Sequence, residues 1–175
     1  MKRFLEALEY IFVPAKVTGW VAGRLTFGKI IRCSPKESTM KTTVKGLVEE
    51  ANTKVKAYEV GEAIEMLNDK SIQFVDVRED HEVHGEGIIP GAVHASRGML
   101  EFYLDAESPY YRKDLDTGRS LIFYCKSGGR SALATQRAIE MGFANVAHIA
   151  GGLNAWKAHG GPLERAKNPN AAVVS

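Results

Sequence analysis

Two short, mostly apolar runs constrain this chain more than any other feature: IQFVDV at 72–77 and SLIFY at 120–124. Such runs are too short for a core helix and show no polar alternation, so they read as strands buried on both faces, the condition of a parallel sheet. NVAHI, ending at Ile149, is a third run of the same kind. Around them the apolar spacing changes to that of helices: VGEAIEMLNDK before the first, RSALATQRAIEMG after the second and GGLNAWKAHGG after the third. Strands alternating with helices predict an α/β fold, a mostly parallel central sheet flanked by helices on both faces. In such sheets the working groups collect beyond the carboxyl ends of the strands. Cys125 stands at one such end, and Asp76 with Arg78 at another.

The remaining segments are assigned by the same rules. STMKTTVKGLVEEANTKVKA starts a helix, with Val44, Leu47, Val48 and Ala51 on one face. EDHEVHGEGIIPGAVHA holds a short helix, a Pro-Gly turn and a short strand near Val93. RGMLEFYL is a helical fragment, and DAESPYYRKDLDTG a loop. In the helix after the second run, Ala132, Leu133, Gln136 and Ile139 fit one face, and Gly142 sits where a C-cap is expected. Residues 40–165 are expected to form the domain, 166–175 a tail, and 1–39 an extension carrying a short amphipathic helix (Phe4, Leu5, Leu8, Ile11 and Phe12, stopped by Pro14).

The stretch CKSGGRS that follows the second strand is where chemistry concentrates. Gly128 and Gly129 permit backbone angles that turn successive N–H groups inward as an anion-binding nest. The start of the next helix adds partial positive charge. Lys126 and Arg130 add full charges. All of these favour thiolate over thiol at Cys125 and would hold an anionic substrate against the sulfur. The alternative, a cysteine serving as a small buried hydrophobe, fits poorly with two cations and two glycines beside it.

With FVDVRED, EGIIPGAVHA, CKSGGRSALA and GFANVAHIAGGLNAW all present, the chain resembles the rhodanese family of single-domain sulfurtransferases over about residues 56–163. The resemblance implies a rhodanese-like fold, a persulfide on Cys125 and a thiosulfate-like anionic donor held by Lys126, Ser127, Gly128, Gly129 and Arg130. It implies an acceptor that is cyanide or a protein or small-molecule thiol, and no cofactor or metal. Four residues separate Cys125 from Arg130, one fewer than in the phosphatases that share this architecture. The shorter ring fits one added sulfur atom, the longer one a tetrahedral phosphate. Mercaptopyruvate-type members lack basic residues in this loop, so Lys126 and Arg130 point to the thiosulfate type. Ile88 stands where family members often have a histidine. Asp76 and Arg78 are expected to brace the neighbouring strand end by ion pairing, with substrate contact the alternative for Arg78.

Other features carry less. The five histidines, His81, His84, His94, His148 and His159, show no metal-ligand spacing. Ser96 and Arg97 follow the short strand and are candidates for the pocket mouth. Phe102, Tyr103, Tyr110 and Tyr111 are expected to cover the core, with a pocket wall or a docking surface the alternatives, and Trp156 belongs in the core. Cys33 is a candidate for resolving the persulfide as a disulfide. Of the net charge of +2, residues 1–39 contribute seven basic against three acidic side chains, or +4, and the rest 16 against 18, or −2. That balance gives no reason to expect nucleic acid. With Glu6 and Glu9 interrupting the N-terminal apolar stretch and two widely spaced cysteines, the expectation is a cytoplasmic protein without a membrane span.

Overall fold

The computed structural model describes residues 42–166, and the readings that fall on residues 1–41 and 167–175, including the N-terminal helix and Cys33, lie outside them. Five strands form one parallel sheet in the order β1-β5-β4-β2-β3: β1 (Lys56–Tyr58), β2 (Ile72–Asp76), β3 (Val93–His94), β4 (Ser120–Tyr124) and β5 (Val146–Ile149). The two apolar runs lie side by side, with Ile72 opposite Ser120 and Asp76 opposite Tyr124. Strand β5 pairs on the other side of β4, Phe123 opposite His148.

Helices cover both faces. Alternate residues of β4 divide between two apolar clusters. Leu121, Phe123 and Cys125 join Val75, Val77 and Val146 under α4 (Leu100–Leu104) and α5 (Gly129–Glu140). Ile122 and Tyr124 join Phe74 and Ile149 under α2 (Val60–Glu65), α3 (Asp80–Glu86) and α6 (Gly152–Ala158). The first helix, α1 (Val44–Lys54), packs on the outside of α5. Trp156 is fully buried, meeting Phe74 edge to face at 6.0 Å between ring centres and donating Nε1–H to the Pro162 carbonyl at 2.9 Å.

Three expectations are corrected. The first helix ends at Lys54, and Lys56–Tyr58 leaves it to form edge strand β1 beside β5. Its apolar face is thin: Ala51 is buried, but Val44 and Leu47 are exposed. On α5 the buried residues are Ser131, Ala132, Ala134, Thr135 and Ala138, while Ile139 is exposed and Leu133 and Gln136 are only partly covered. Small side chains let this helix lie close over β4 and β5, where Thr135 Oγ1 donates to the Ala147 carbonyl at 3.2 Å. The larger apolar residues that suggested the face are therefore not the ones that pack. The aromatics also divide. Tyr103 packs against the core under the Arg112 guanidinium, whereas Phe102 and Tyr110 are exposed and pack edge to face on one another at 6.3 Å.

Candidate active site

Strand β4 ends at Tyr124 and delivers Cys125 to the top of the sheet with its side chain on the α5 face. The chain then turns back over the sulfur. Gly128 adopts φ +95°, a left-handed conformation that side chains resist, and this brings its own N–H to 3.2 Å from Cys125 Sγ. Helix α5 starts at the next residue. Its Ser131 hydroxyl lies 3.6 Å from Sγ and donates to the Gly128 carbonyl at 3.0 Å, which ties the turn to the helix. Cys125 itself is buried, 1% exposed.

The loop is held from behind by the turn that opens α6. Gly151 and Gly152 both have positive φ, +69° and +57°. Leu153 N–H donates to the Cys125 carbonyl at 2.8 Å and Asn154 N–H to the Lys126 carbonyl at 3.0 Å. Two loop carbonyls that would oppose an anion are thus engaged on the far side. A side chain at Gly128 would press on the Gly151 nitrogen at 3.2 Å, a tight approach, and the positive φ of both residues favours glycine in each turn.

Both loop cations are paired, and with residues of one helix. Arg130 makes a two-pronged contact with Glu82, Nη1 to Oε2 at 2.6 Å and Nη2 to Oε1 at 2.8 Å. Lys126 Nζ donates to Glu86 Oε1 at 2.8 Å, and Lys157 of α6 takes Oε2 of the same carboxylate at 2.7 Å. Glu82 also accepts the Glu79 N–H at 3.1 Å, closing a capping box that starts α3 and fixes the carboxylate in place. The Arg130 hydrogen bonds hold Glu82 down to about 2, and those from Lys126 and Lys157 hold Glu86 down to about 2. Arg130 is raised in turn, chiefly by Glu82, with the nearby Cys125 sulfur adding to it.

Asp76 and Arg78 form a wholly buried ion pair beside the loop, Nη2 to Oδ2 at 2.6 Å and Nε to Oδ1 at 2.9 Å. The remaining Arg78 donors reach the Gly87 carbonyl at 2.6 Å and the Glu82 carbonyl at 3.4 Å, so this arginine clamps both turns of α3. Burial would lower the Arg78 pKa, but the Asp76 hydrogen bond and charge outweigh it and raise it. Tyr124, buried beside this pair, is raised well above the usual phenol range by burial and by Asp76, and its oxygen accepts the Ile89 N–H at 3.1 Å.

Among the other candidates, Arg97 Nη1 is held by Glu101 at 3.0 Å. His84 and His94 bond to the carbonyls of Asp80 and Arg78, at 2.7 and 2.8 Å. Ile88, at the position of the family's histidine, is buried and exchanges two 2.9 Å backbone bonds with Glu164. Sequence reasoning missed Ser131, Glu82, Glu86, Lys157 and the Gly151–Gly152 turn. Only the adjacent glycines before a helix offered a signal; the two carboxylates lie 48 and 40 residues from their loop partners.

The model of the rhodanese-like domain matches residues 59–159, more than half of the chain. Among curated proteins, the Bacillus subtilis protein YtwF is 37% identical over 51% of this chain and 77% of its own length. The Coxiella burnetii thiosulfate sulfurtransferase GlpE is 31% identical over 61% of this chain and 92% of its own. A solved structure from Rhodopseudomonas palustris, described as a protein of unknown function and possible tyrosine phosphatase, superposes with a TM-score of 0.70 at 37% identity, covering 74% of this chain and 99% of that one. The parallel sheet, the glycine-turned cysteine loop at its carboxyl edge and the matched span agree, and the chain belongs to the rhodanese-like domain family.

Proposed function

We propose that the protein is a sulfurtransferase that passes the outer sulfur of thiosulfate, or of a similar anionic donor, through a persulfide on Cys125 to cyanide or to a protein or small-molecule thiol. The observation that carries this reading is the Gly128 N–H lying 3.2 Å from Cys125 Sγ at the end of β4. A backbone donor aimed at a cysteine sulfur stabilises negative charge there, both on the attacking thiolate and on the persulfide that follows. The name of the Coxiella burnetii relative supports the donor class.

In the first step the Cys125 thiolate attacks the outer sulfur of the donor. A sulfur–sulfur bond forms to Cys125, the bond to the sulfite group breaks, and its electron pair leaves with sulfite. In the second step the acceptor attacks the terminal sulfur and Cys125 departs as thiolate. Lys126 and Arg130 hold the donor's oxygens, which requires each to share itself with its carboxylate partner. Ser127 and Gly129 contribute loop backbone. Asp76 and Arg78 brace the end of β2 under α3. Residues 40–165 suffice for this chemistry, so deleting 2–39 leaves sulfur loading unchanged. A reducing cytoplasm would supply the thiol acceptor.

A persulfide relay with little small-molecule turnover is the second reading. The pairing of both loop cations favours it, because cations already engaged by carboxylates hold a small dianion weakly. Phosphate transfer, suggested by the description of the Rhodopseudomonas palustris structure, fits less well with four residues between Cys125 and Arg130. The test is steady-state thiocyanate formation from thiosulfate and cyanide, beside sulfur transfer from loaded protein to a protein thiol. Turnover with cyanide favours the enzyme, transfer to a protein thiol alone the relay, and phosphatase activity without sulfur loading overturns both.

A further inference from the structure

Glu86 takes no part in the sulfur chemistry, yet it joins two lysines from separate elements: Lys126 of the cysteine loop and Lys157 of α6. One turn earlier on the same helix, Glu82 holds Arg130. One face of α3 therefore supplies carboxylates to three cations around the loop, which leaves a net +1 where the sequence offers +3. Thiosulfate carries two negative charges. The three side chains of the Glu86 cluster are a quarter to a half exposed, so these pairs add little to stability, and their main effect falls on an anion approaching Lys126.

We propose that Glu86 is a specificity-determining residue that weights the Cys125 site against doubly charged sulfur donors and in favour of singly charged ones, such as thiosulfonate anions of the form R–SO2–S⁻. The proposal rests on the sulfurtransferase reading of Cys125. A thiosulfonate gives up its outer sulfur by the same step: a bond forms to Cys125, the old sulfur–sulfur bond breaks, and the electron pair leaves on a sulfinate. The two donors differ in charge and in one substituent, an R group replacing an oxygen, so the effect of Glu86 is read from the change each donor shows when that carboxylate is removed. Coulomb energy scales with the product of charges, so Glu86 opposes a dianion with twice the energy it opposes a monoanion.

The experiment uses the full chain and measures, by intact mass, the rate at which Cys125 gains sulfur from thiosulfate and from methanethiosulfonate. Glu86→Gln is expected to speed thiosulfate loading about tenfold and methanethiosulfonate loading only about threefold, the square root, as the halved energy requires. Raising the ionic strength should shrink both gains, because partly exposed charges are screened. Equal changes for the two donors, or slower thiosulfate loading in the variant, overturn the proposal. Wild-type protein that gains sulfur from neither donor overturns the sulfurtransferase reading itself, a distinct result.

Discussion

Gly152 lies against the carbonyl of Cys125 so closely that a side chain at 152 would occupy the space of that oxygen and come within 2.9 Å of the Gly128 nitrogen. The turn that opens α6 is thus the wall against which the cysteine loop is cast. Its φ of +57° adds a conformational cost for any other residue. Gly152→Ala is expected to cost about 1–3 kcal/mol, the range for a strained or overpacked backbone position. It should also slow sulfur loading of Cys125, because the loop must shift to make room. Thermal unfolding and loading kinetics on the same variant check both parts.

Ser131 touches the sulfur and the Gly128 carbonyl at once. Ser131→Ala removes one buried hydrogen bond, a change of about 1 kcal/mol in stability. Loading of Cys125 should slow several-fold, while Ser131→Thr, which keeps the hydroxyl, recovers part of the rate. Equal loading in wild type and alanine variant would leave Ser131 a purely structural residue.

Arg78 makes the buried pair with Asp76 and holds the Glu82 carbonyl of α3 and the Gly87 carbonyl that caps it. Removing one partner leaves an uncompensated buried charge, so Arg78→Met is expected to destabilise the fold by about 3–5 kcal/mol. Chemical denaturation measures it. A loss of loading without a loss of stability would instead assign Arg78 to substrate.

His148 sits on β5 opposite Phe123, buried, and neither ring nitrogen has a partner of good hydrogen-bond geometry among the described residues. Burial lowers its pKa below 6.5. The unfolded chain therefore binds the proton more readily. The stability is fully present above 6.5 and is lost as pH falls through that value toward the folded pKa. Glu82 and Glu86 act lower: their pairing contributes above 4.5 and is lost only as pH falls toward about 2. The melting temperature should thus fall between about pH 7 and pH 5 because of His148, in line with the titration range of histidine. His148→Leu should flatten that slope and raise stability by about 1 kcal/mol at neutral pH, since an unsatisfied buried polar group is removed.

The fold was legible where burial is two-sided. Strands β2 and β4 announce themselves because no position in 72–77 or 120–124 needs to face water until the sheet ends. Strand β1 hid because it is a short edge strand whose Lys56 and Ala57 are exposed. The face of α5 was misread because close packing favours Ser131, Ala134, Thr135 and Ala138 over the bulky residues that dominate a hydrophobic pattern. In the site, CKSGGRS revealed the cysteine, the turn and the cations, all of them local. It could not reveal that Glu82 and Glu86 stand over those cations, because that proximity is created by the parallel crossover that puts α3 beside the loop.

Cys125, under the Gly128 N–H, is expected to receive a sulfur atom. The most direct measurement is the intact mass of purified, reduced protein after incubation with thiosulfate, with Cys125→Ser alongside. The wild type is expected to gain the mass of one sulfur atom, removed by cyanide or excess thiol, and the serine variant to gain none. An unchanged wild-type mass, or the same gain in Cys125→Ser, would contradict it.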